Sequence, residues 1–497
     1  KVQYLSQSGV RANDTKDLIG VNTIFGAASL SKPVFAYAVL QLEKQGKIDL
    51  DKPVYQYLEN ADLADDPRYK QITTRMLLSH SSGLPNWRNG ALKLLHDPGS
   101  KFQYSGEGYM YLAKVVEQIM RKPINELMQI LVFEPLGMEN SSYIWENRFE
   151  TDFASPHDYT GTPKPNWRPE TPVVASSLHT TAADYSKFMI ALLKGEGLDS
   201  QTYQQIKSPQ IQIHDSLAWG LGWGIQQSAR GDYLWQWGDN GNTKAFTMFY
   251  PNEQKGMVFF VNSYKGLRML PELVDHLFKD KIPEFNMLER SRRVRADEKL
   301  LLAILEKGID KGIQGFLASN KQSLDTNLIT EGQADFVAMQ LRWRNQNAEE
   351  GVLLKLITHT FPNSFKALKS YAAHCIKHGH QKEGIEYYKK ALALVPQDKD
   401  VSNTLHLLTA KELKGNVTFV FQDYLWASSV SVQGSFNDWS SSSIPMLKKN
   451  GVWTTTITLP PGQYLYQFVV NGYPMLDPKN EVTVREDWRT ASLLKVD

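Results

Sequence analysis

The chain has 497 residues, of which 42% are hydrophobic, 22% charged and 11% aromatic, with a formal net charge of +2 and one cysteine, Cys375. At roughly 150 residues per domain, that length calls for about three domains. The small charge, without a long basic run, points away from nucleic acid. No apolar run reaches the length of a membrane span, and a single cysteine excludes an intrachain disulfide. No signal peptide opens the sequence. Lys1 leads almost directly into strand-like residues, as if a preceding segment had been removed.

Residues 1 to about 285 read as one mixed α/β domain. Apolar positions at helical spacing follow Lys32 (Val34, Ala38, Leu40, Leu42) and recur over Tyr109–Met120 and Ala183–Leu193. Strand-like runs are "AFTMFYP" (245–251) and "KGMVFFVNS" (255–263), separated by Asn252 and Glu253. From about 286 to 412 the pattern is nearly all helical. Pro362 and Pro396 lie 34 apart there, Gly351 and Gly384 lie 33 apart, and "HGHQKEGIEYYKKALALVPQDKD" resembles a tetratricopeptide repeat. Two degenerate copies would make a spacer, which the small copy number favours, or a peptide groove. From about 413 to 497, short strands ("VTFVFQ", "ASSVSVQG", "VWTTTITL", "QYLYQFVVNG", "ASLLKV") are punctuated by Gly434, Asn450-Gly451, Pro461-Gly462 and Asn471-Gly472, the pattern of a small β-sandwich.

Ser29-Leu30-Ser31-Lys32 raises the question of catalysis. Side chains three apart share a helix face, and a desolvated lysine can take a hydroxyl proton. The motif alone is weak, since about two chance Ser-x-x-Lys matches are expected at this length. One such match is Ser492–Lys495, in a strand, where the two side chains point to opposite faces. Taken singly, Ser29 is an N-terminal helix residue followed by a solvated lysine.

The surrounding motifs change this. "F-x-x-A-S-x-S-K", "ITTRMLLSHSSGLP" (72–85), "FQYSGEGY" from 102, "PLGM" (135–138), "LAWGLGW" (217–223) and "GDNGNTKAF" follow in an order that resembles the serine β-lactamase and penicillin-recognising hydrolases, most of all the class C branch with its esterases and peptidases. The resemblance implies an α/β hydrolase domain over 1–285 that works through an acyl-enzyme, with Ser29 as nucleophile, Lys32 as proton acceptor and Tyr104 as second base and proton donor. It also implies an oxyanion hole from the N–H groups of Ser29 and Asn242. His80 and Ser82 are read as architectural, and Trp219 and Trp223 as wall or core. Two departures bear on substrate. Gly106 stands where the family's Tyr-x-Asn has its amide, and Asp239-Asn240-Gly241 stands where it has Lys-Thr-Gly or His-x-Gly. A carboxylate at 239 would repel a substrate carboxylate unless Lys244 offsets it. Esters, amides or lactones without an anionic group near the reacting centre therefore fit better than penicillins. Family members also carry a helix and a strand before the segment that opens this chain. The resemblance implies a periplasmic or secreted location.

"VSVQGSFNDWS" and the strands after it resemble the glycogen-binding module of the AMP-activated kinase β subunit, a family 48 carbohydrate-binding module. Trp439 falls on one of its two sugar-stacking tryptophans. Pro474, with Tyr473 beside it, replaces the second, and Gln467 replaces a binding lysine. The module either binds an α-glucan or another carbohydrate, or has become a packing domain. Two readings of the whole chain compete with an esterase or peptidase-like hydrolase: a catalytically weak scaffold, and a deacylase of acylated polysaccharide. No His, Cys and Asp/Glu cluster stands at metal-ligand spacing, so neither metal nor cofactor is expected.

Overall fold

Ser29 lies between two short elements. The strand β1 (Phe25–Gly26) pairs with β2 (His179–Thr180), and Ser29 itself occupies a turn of 3-10 helix over Ala28–Leu30 that runs into helix α1 (Ser31–Lys44). The computed structural model describes residues 1–88, 90–319, 329–409, 415–422, 427, 430–437, 439, 444–449, 451–470, 473–486 and 489–497. It divides into two units, Lys1–Arg293 and Val294–Asp497.

In the first unit, helices α2 (Thr74–Leu78), α3 (Gly106–Met120), α4 (Ile124–Met128), α5 (Glu134–Leu136), α6 (Ala182–Lys194) and α7 (Ser200–Ile206) precede a six-stranded antiparallel sheet. Its strands are β3 (Ile211–His214), β4 (Leu217–Trp219), β5 (Gly224–Gln226), β6 (Tyr233–Asp239), β7 (Lys244–Tyr250) and β8 (Lys255–Val261), paired in sequence order. Alternate side chains serve opposite faces. Ala218, Ile225, Leu234, Ala245 and Phe249 join the core made with α1, α3 and α6. Leu217, Trp219, Trp235, Trp237, Phe246 and Met248 join an aromatic layer covered by α8 (Leu270–Phe278) and α9 (Asn286–Arg292). The helices expected after Lys32, around Tyr109 and around Ala183 are α1, α3 and α6, and the two expected strands are β7 and β8.

Helix α9 differs from expectation. The sequence reading ends the hydrolase domain at 285, yet Phe285 is 5% exposed and packs against Phe102, Trp219, Trp235 and Trp237. That burial ties α9 to the sheet and carries the first unit to Arg293. The strand-like opening after Lys1 forms no strand, and regular pairing begins with β1.

In the second unit, α10 (Ala296–Lys307) packs on α11 (Ile309–Ser319) and on α12 (Glu331–Trp343), and from α12 onward each helix packs on the next: α13 (Asn347–Thr360), α14 (Phe365–Lys377), α15 (Gln381–Leu394) and α16 (Lys399–Thr409). Gly384 lets α14 and α15 approach closely, because a Cβ there would stand 2.6 Å from Ile376 Cδ1. The C-terminal part is a two-sheet β arrangement. One sheet is β11 (Leu447–Lys449), β12 (Val452–Ile457) and β9 (Val417–Phe421); the other joins β10 (Val430–Gly434), β13 (Gly462–Val470), β16 (Arg489–Val496) and β15 (Thr483–Glu486), with β14 (Tyr473–Met475) on β13. Phe419 and Phe421 of one sheet share a core with Val432, Tyr466 and Phe468 of the other. The short strands β11, β14 and β15 are additions to the expected set. The expected turns at Asn450 and at Asn471-Gly472 lie outside the described residues. Ser492, the chance Ser-x-x-Lys match, is buried and accepts from the Asp477 N–H at 3.0 Å. Among the described residues no helix is long and apolar enough to cross a membrane.

Candidate active site

Lys32 is the most telling side chain. It is 1% exposed, at the start of α1, and no carboxylate pairs with it. Its Nζ donates to Ser29 Oγ at 3.1 Å and to the Ala175 carbonyl at 2.8 Å. Burial lowers its pKa to about 7, because desolvation disfavours the ammonium form. Ser29 is half-buried, and its N–H sits in a first turn, where no intrahelical acceptor exists. Ala28 before it holds φ of 47°, a left-handed conformation costing about 1–3 kcal/mol in a non-glycine residue.

Tyr104 precedes α3, whose N-cap Ser105 accepts from the Gly108 N–H at 2.8 Å. The Tyr104 hydroxyl shares a hydrogen bond with Ser29 and accepts from Gln236 Nε2 at 3.3 Å. Burial pushes its pKa well above the usual tyrosine value, and those two hydrogen bonds only partly counter it. Its ring is wedged between His80, with centroids 4.2 Å apart, and Trp237, at 4.8 Å, and Lys32 Nζ stands 4.8 Å from its centroid. His80 Nδ1 accepts from the Ser105 N–H at 3.0 Å, and burial, then the neighbouring Lys32 charge, holds its pKa far below the usual value. It is thus a neutral prop for the Tyr104 loop. Trp219 belongs to the same aromatic layer, Trp223 packs on Phe188 and Phe249, and Ser82 is buried in a turn.

Gln236 is the residue that sequence reading missed. Besides its bond to Tyr104, its Nε2 reaches the Ser29 carbonyl at 3.4 Å, and its Oε1 accepts from the Trp237 N–H at 3.1 Å. Two residues on, Gly238 faces the turn that carries Ser29 so closely that a Cβ there would stand 2.6 Å from the Ala27 carbonyl oxygen. The strand segment beside Ser29 is therefore Gln236-Trp237-Gly238, three residues upstream of Asp239-Asn240-Gly241. The sequence signal was a polar-x-Gly triplet inside a strand, where glycine needs a reason.

This shift corrects the Asn242 expectation. The Asn242 N–H donates to the Asn240 carbonyl at 3.0 Å, inside the turn, and Asn242 lines a neighbouring cavity. Along the β6–β7 hairpin, Asn240 N–H bonds Thr243 O at 3.2 Å. Antiparallel alternation then directs the Asp239 N–H away from β7, on the side where β5 has already ended at its Gly224–Trp235 pairing. The Asp239 carboxylate accepts from Lys244 Nζ at 2.5 Å and from the Gly241 N–H at 2.8 Å. Lys244 is nearly buried, so the charge expected to repel a substrate carboxylate is already paired.

The cleft over Ser29 encloses about 210 Å³ and is lined by Ser29, Asn86, Trp87, Tyr104, Ser176, Trp237, Asp239, Asn240, Met287 and Ser291. Among these there is no lysine or arginine. Gly106, where an asparagine side chain was missed, has a steric cause: a Cβ would stand 2.6 Å from the Asn86 carbonyl oxygen and 2.9 Å from the Trp87 ring. The loop at 86–87 fills that space, and Asn86 Oδ1 accepts from the Gly106 N–H at 3.1 Å. A second cavity of about 400 Å³ shares Trp87, Ser176 and Asn240 with the first and is walled by Phe153, Pro156, Pro165 and Trp167.

Trp439 and Tyr473, the candidate sugar contacts, belong to the second unit. Trp439 is half-buried at φ of 58°, its N–H bonded to Gly434 O at 3.0 Å, and Tyr473 is 76% exposed on β14. Gln467 is engaged by Gln433 Nε2 at 2.8 Å and donates to Thr490 O at 2.8 Å.

Residues 1–276 match the beta-lactamase family model, and the chain belongs to that family of serine hydrolases. Residues 417–497 match the model for the glycogen recognition site of AMP-activated protein kinase. A penicillin-binding protein of Bacillus subtilis (strain 168) is 23% identical over 267 residues, 46% of this chain and 58% of its own length. Protein flp of Staphylococcus aureus (strain NCTC 8325 / PS 47) is 23% identical over 303 residues, 54% of this chain and 58% of its own. The chain thus spans about three fifths of the length of the curated relatives it matches. A penicillin-binding protein from Bacillus halodurans shares the fold of the first unit, with a TM-score of 0.51, 22% identity, and coverage of 56% of this chain and 94% of that one.

Substituting Gly238→Ala should press β6 away from the nucleophile turn. Ester turnover is expected to fall about 10²-fold, the effect of a misplacement near 1 Å, with an unchanged far-ultraviolet circular dichroism spectrum. Near wild-type turnover would mean that the close approach does not position Ser29.

Proposed function

We propose that the protein is a serine hydrolase acting through an acyl-enzyme on neutral esters, amides or lactones. The observation that carries this is Lys32, buried with a pKa near 7 and 3.1 Å from Ser29 Oγ. Neutral Lys32 takes the Ser29 proton as Oγ attacks the substrate carbonyl. The N–H groups of Ser29 and Asp239 receive the developing oxyanion. Tyr104, protonated at neutral pH, hands a proton to the leaving group, and the proton that Lys32 took from Ser29 makes good that loss. Water then reverses the sequence on the acyl-enzyme. Gln236 holds Tyr104 in place. Asn86 offers an amide at the cleft wall where Gly106 has none, and the Trp87–Trp167 cavity suits an apolar substituent of the substrate.

The preference against carboxylate-bearing substrates rests on Gln236, a neutral amide, and on a cleft lining without a cation, rather than on repulsion by Asp239. Replacing Gln236→Lys should raise kcat/KM for benzylpenicillin relative to p-nitrophenyl acetate by about 10- to 10²-fold, the value of a hydrogen bond to a charged group. An unchanged ratio would mean that residue 236 does not meet the substrate.

The acid limb of the rate profile tests the base. Because burial lowers the Lys32 pKa to about 7, kcat/KM should fall tenfold per pH unit below that value and level off above it. A flat profile from pH 5 to 9, with turnover still dependent on Ser29, would remove Lys32 as the base.

A second reading, deacylation of an acylated polysaccharide, is favoured by the glycogen-recognition match over 417–497. In it the full chain binds an α-glucan through Trp439 and Tyr473. The double substitution Trp439→Ala/Tyr473→Ala should abolish retardation in glycogen-containing native gels and leave p-nitrophenyl ester turnover unchanged. Equal retardation of both proteins would locate any glucan binding elsewhere.

A further inference from the structure

Helices α13 and α14 bring together Glu350, His374 and His378, which have no part in the Ser29 site. The histidines are one turn apart, the spacing that puts two side chains on one helix face, and their ring centroids are 4.4 Å apart. One ligand atom from each of the three residues lies within 4.8 Å of the others. Glu350 Oε2 and His374 Nδ1 are 3.4 Å apart, with side-chain exposures of 1% and 8%. In a tetrahedral shell with bonds of about 2.0–2.1 Å, adjacent ligand atoms stand about 3.3–3.5 Å apart, so this pair is already at ligand spacing.

Two further features support a bound ion. His378 Nε2 is buried and has no hydrogen-bond partner among the described residues, a cost that a metal bond would remove. The other Glu350 oxygen accepts from Arg342 Nε at 2.6 Å, the kind of outer contact that fixes a ligating carboxylate. Gly351 makes room, since a Cβ there would stand 2.6 Å from His374 Nε2. An Arg342–Glu350–His374 ion-pair network would account for two of the three residues, but not for the placement of His378. The ligand set was hidden in the sequence because Glu350 comes from a different helix, although His374 and His378 stand at visible spacing.

We propose that Glu350, His374 and His378 bind one divalent transition-metal ion, with Zn²⁺ the best-fitting class, which staples α13 to α14 and leaves a fourth position to water. Two imidazoles and one carboxylate suit Zn²⁺ or its neighbours better than Mg²⁺ or Ca²⁺.

The test uses the full chain, stripped with EDTA and titrated with ZnCl₂ by calorimetry. Wild type should bind one equivalent that His378→Ala does not. At Zn²⁺ concentrations 100-fold above Kd, the melting transition of the second unit should rise by ~5–10 °C. Co²⁺ should give the visible bands of a four-coordinate site in wild type alone. Because His378 Nε2 makes no hydrogen bond, metal-free His378→Ala should melt with metal-free wild type, which separates lost ligation from misfolding. Equal Zn²⁺ binding by both proteins, or no binding by wild type at ~100 μM Zn²⁺, would overturn the proposal and leave the cluster as an ion-pair network.

Discussion

The site is organised around the burial of one ammonium group. Lys32 has been taken out of water, and among the described residues it has no carboxylate partner, its hydrogens going to the Ala175 carbonyl and Ser29 Oγ. Such a site is costly for a charge and tolerable for a neutral amine. In the proposed mechanism the same desolvation that lowers the pKa supplies a base at neutral pH. Tyr104 meets the opposite consequence, since burial keeps its hydroxyl protonated. One dry pocket thus sorts its two titratable groups into an acceptor and a donor.

Keeping that pocket dry requires backbones to come close, and the glycines mark where. Gly238 lets β6 press on the turn that carries Ser29, and Gly106 lets the 86–87 loop close over the start of α3. The aromatic layer of Trp219, Trp235, Trp237 and Phe285 then holds Tyr104, with Trp237 against its ring and in the cleft lining. The proposed substrate preference follows from the same packing. The strand position beside Ser29 holds an uncharged glutamine, and the carboxylate in the cleft lining, Asp239, is paired with Lys244.

Much of this was legible in the sequence, for identifiable reasons. Ser29 and Lys32 stand three apart, the spacing of one helix face, whereas Tyr104 comes in only through the order of motifs that resembles the serine β-lactamases and penicillin-recognising hydrolases. The helices α1, α3 and α6 follow from apolar periodicity. The strand beside the nucleophile was misread by three residues because a glycine-rich turn is conspicuous, whereas Gly238 looks unremarkable until the Ala27 carbonyl lies against it. The end of the hydrolase unit was placed early because α9 has a helical pattern like those after it, and only the burial of Phe285 assigns it to the sheet. Strands of three or four residues, such as β11, β14 and β15, are too short to show a period. The Glu350 cluster joins two helices, a relation that no single stretch displays.

Whether Lys32 makes Ser29 a competent nucleophile is read by mass spectrometry of the chain after exposure to a fluorophosphonate. A single phosphonyl adduct is expected, mapped to the peptide containing Ser29, absent from Ser29→Ala, and formed faster as pH rises through about 7, where Lys32 loses its proton. No adduct, or an adduct that persists in Ser29→Ala, would contradict that role for Ser29.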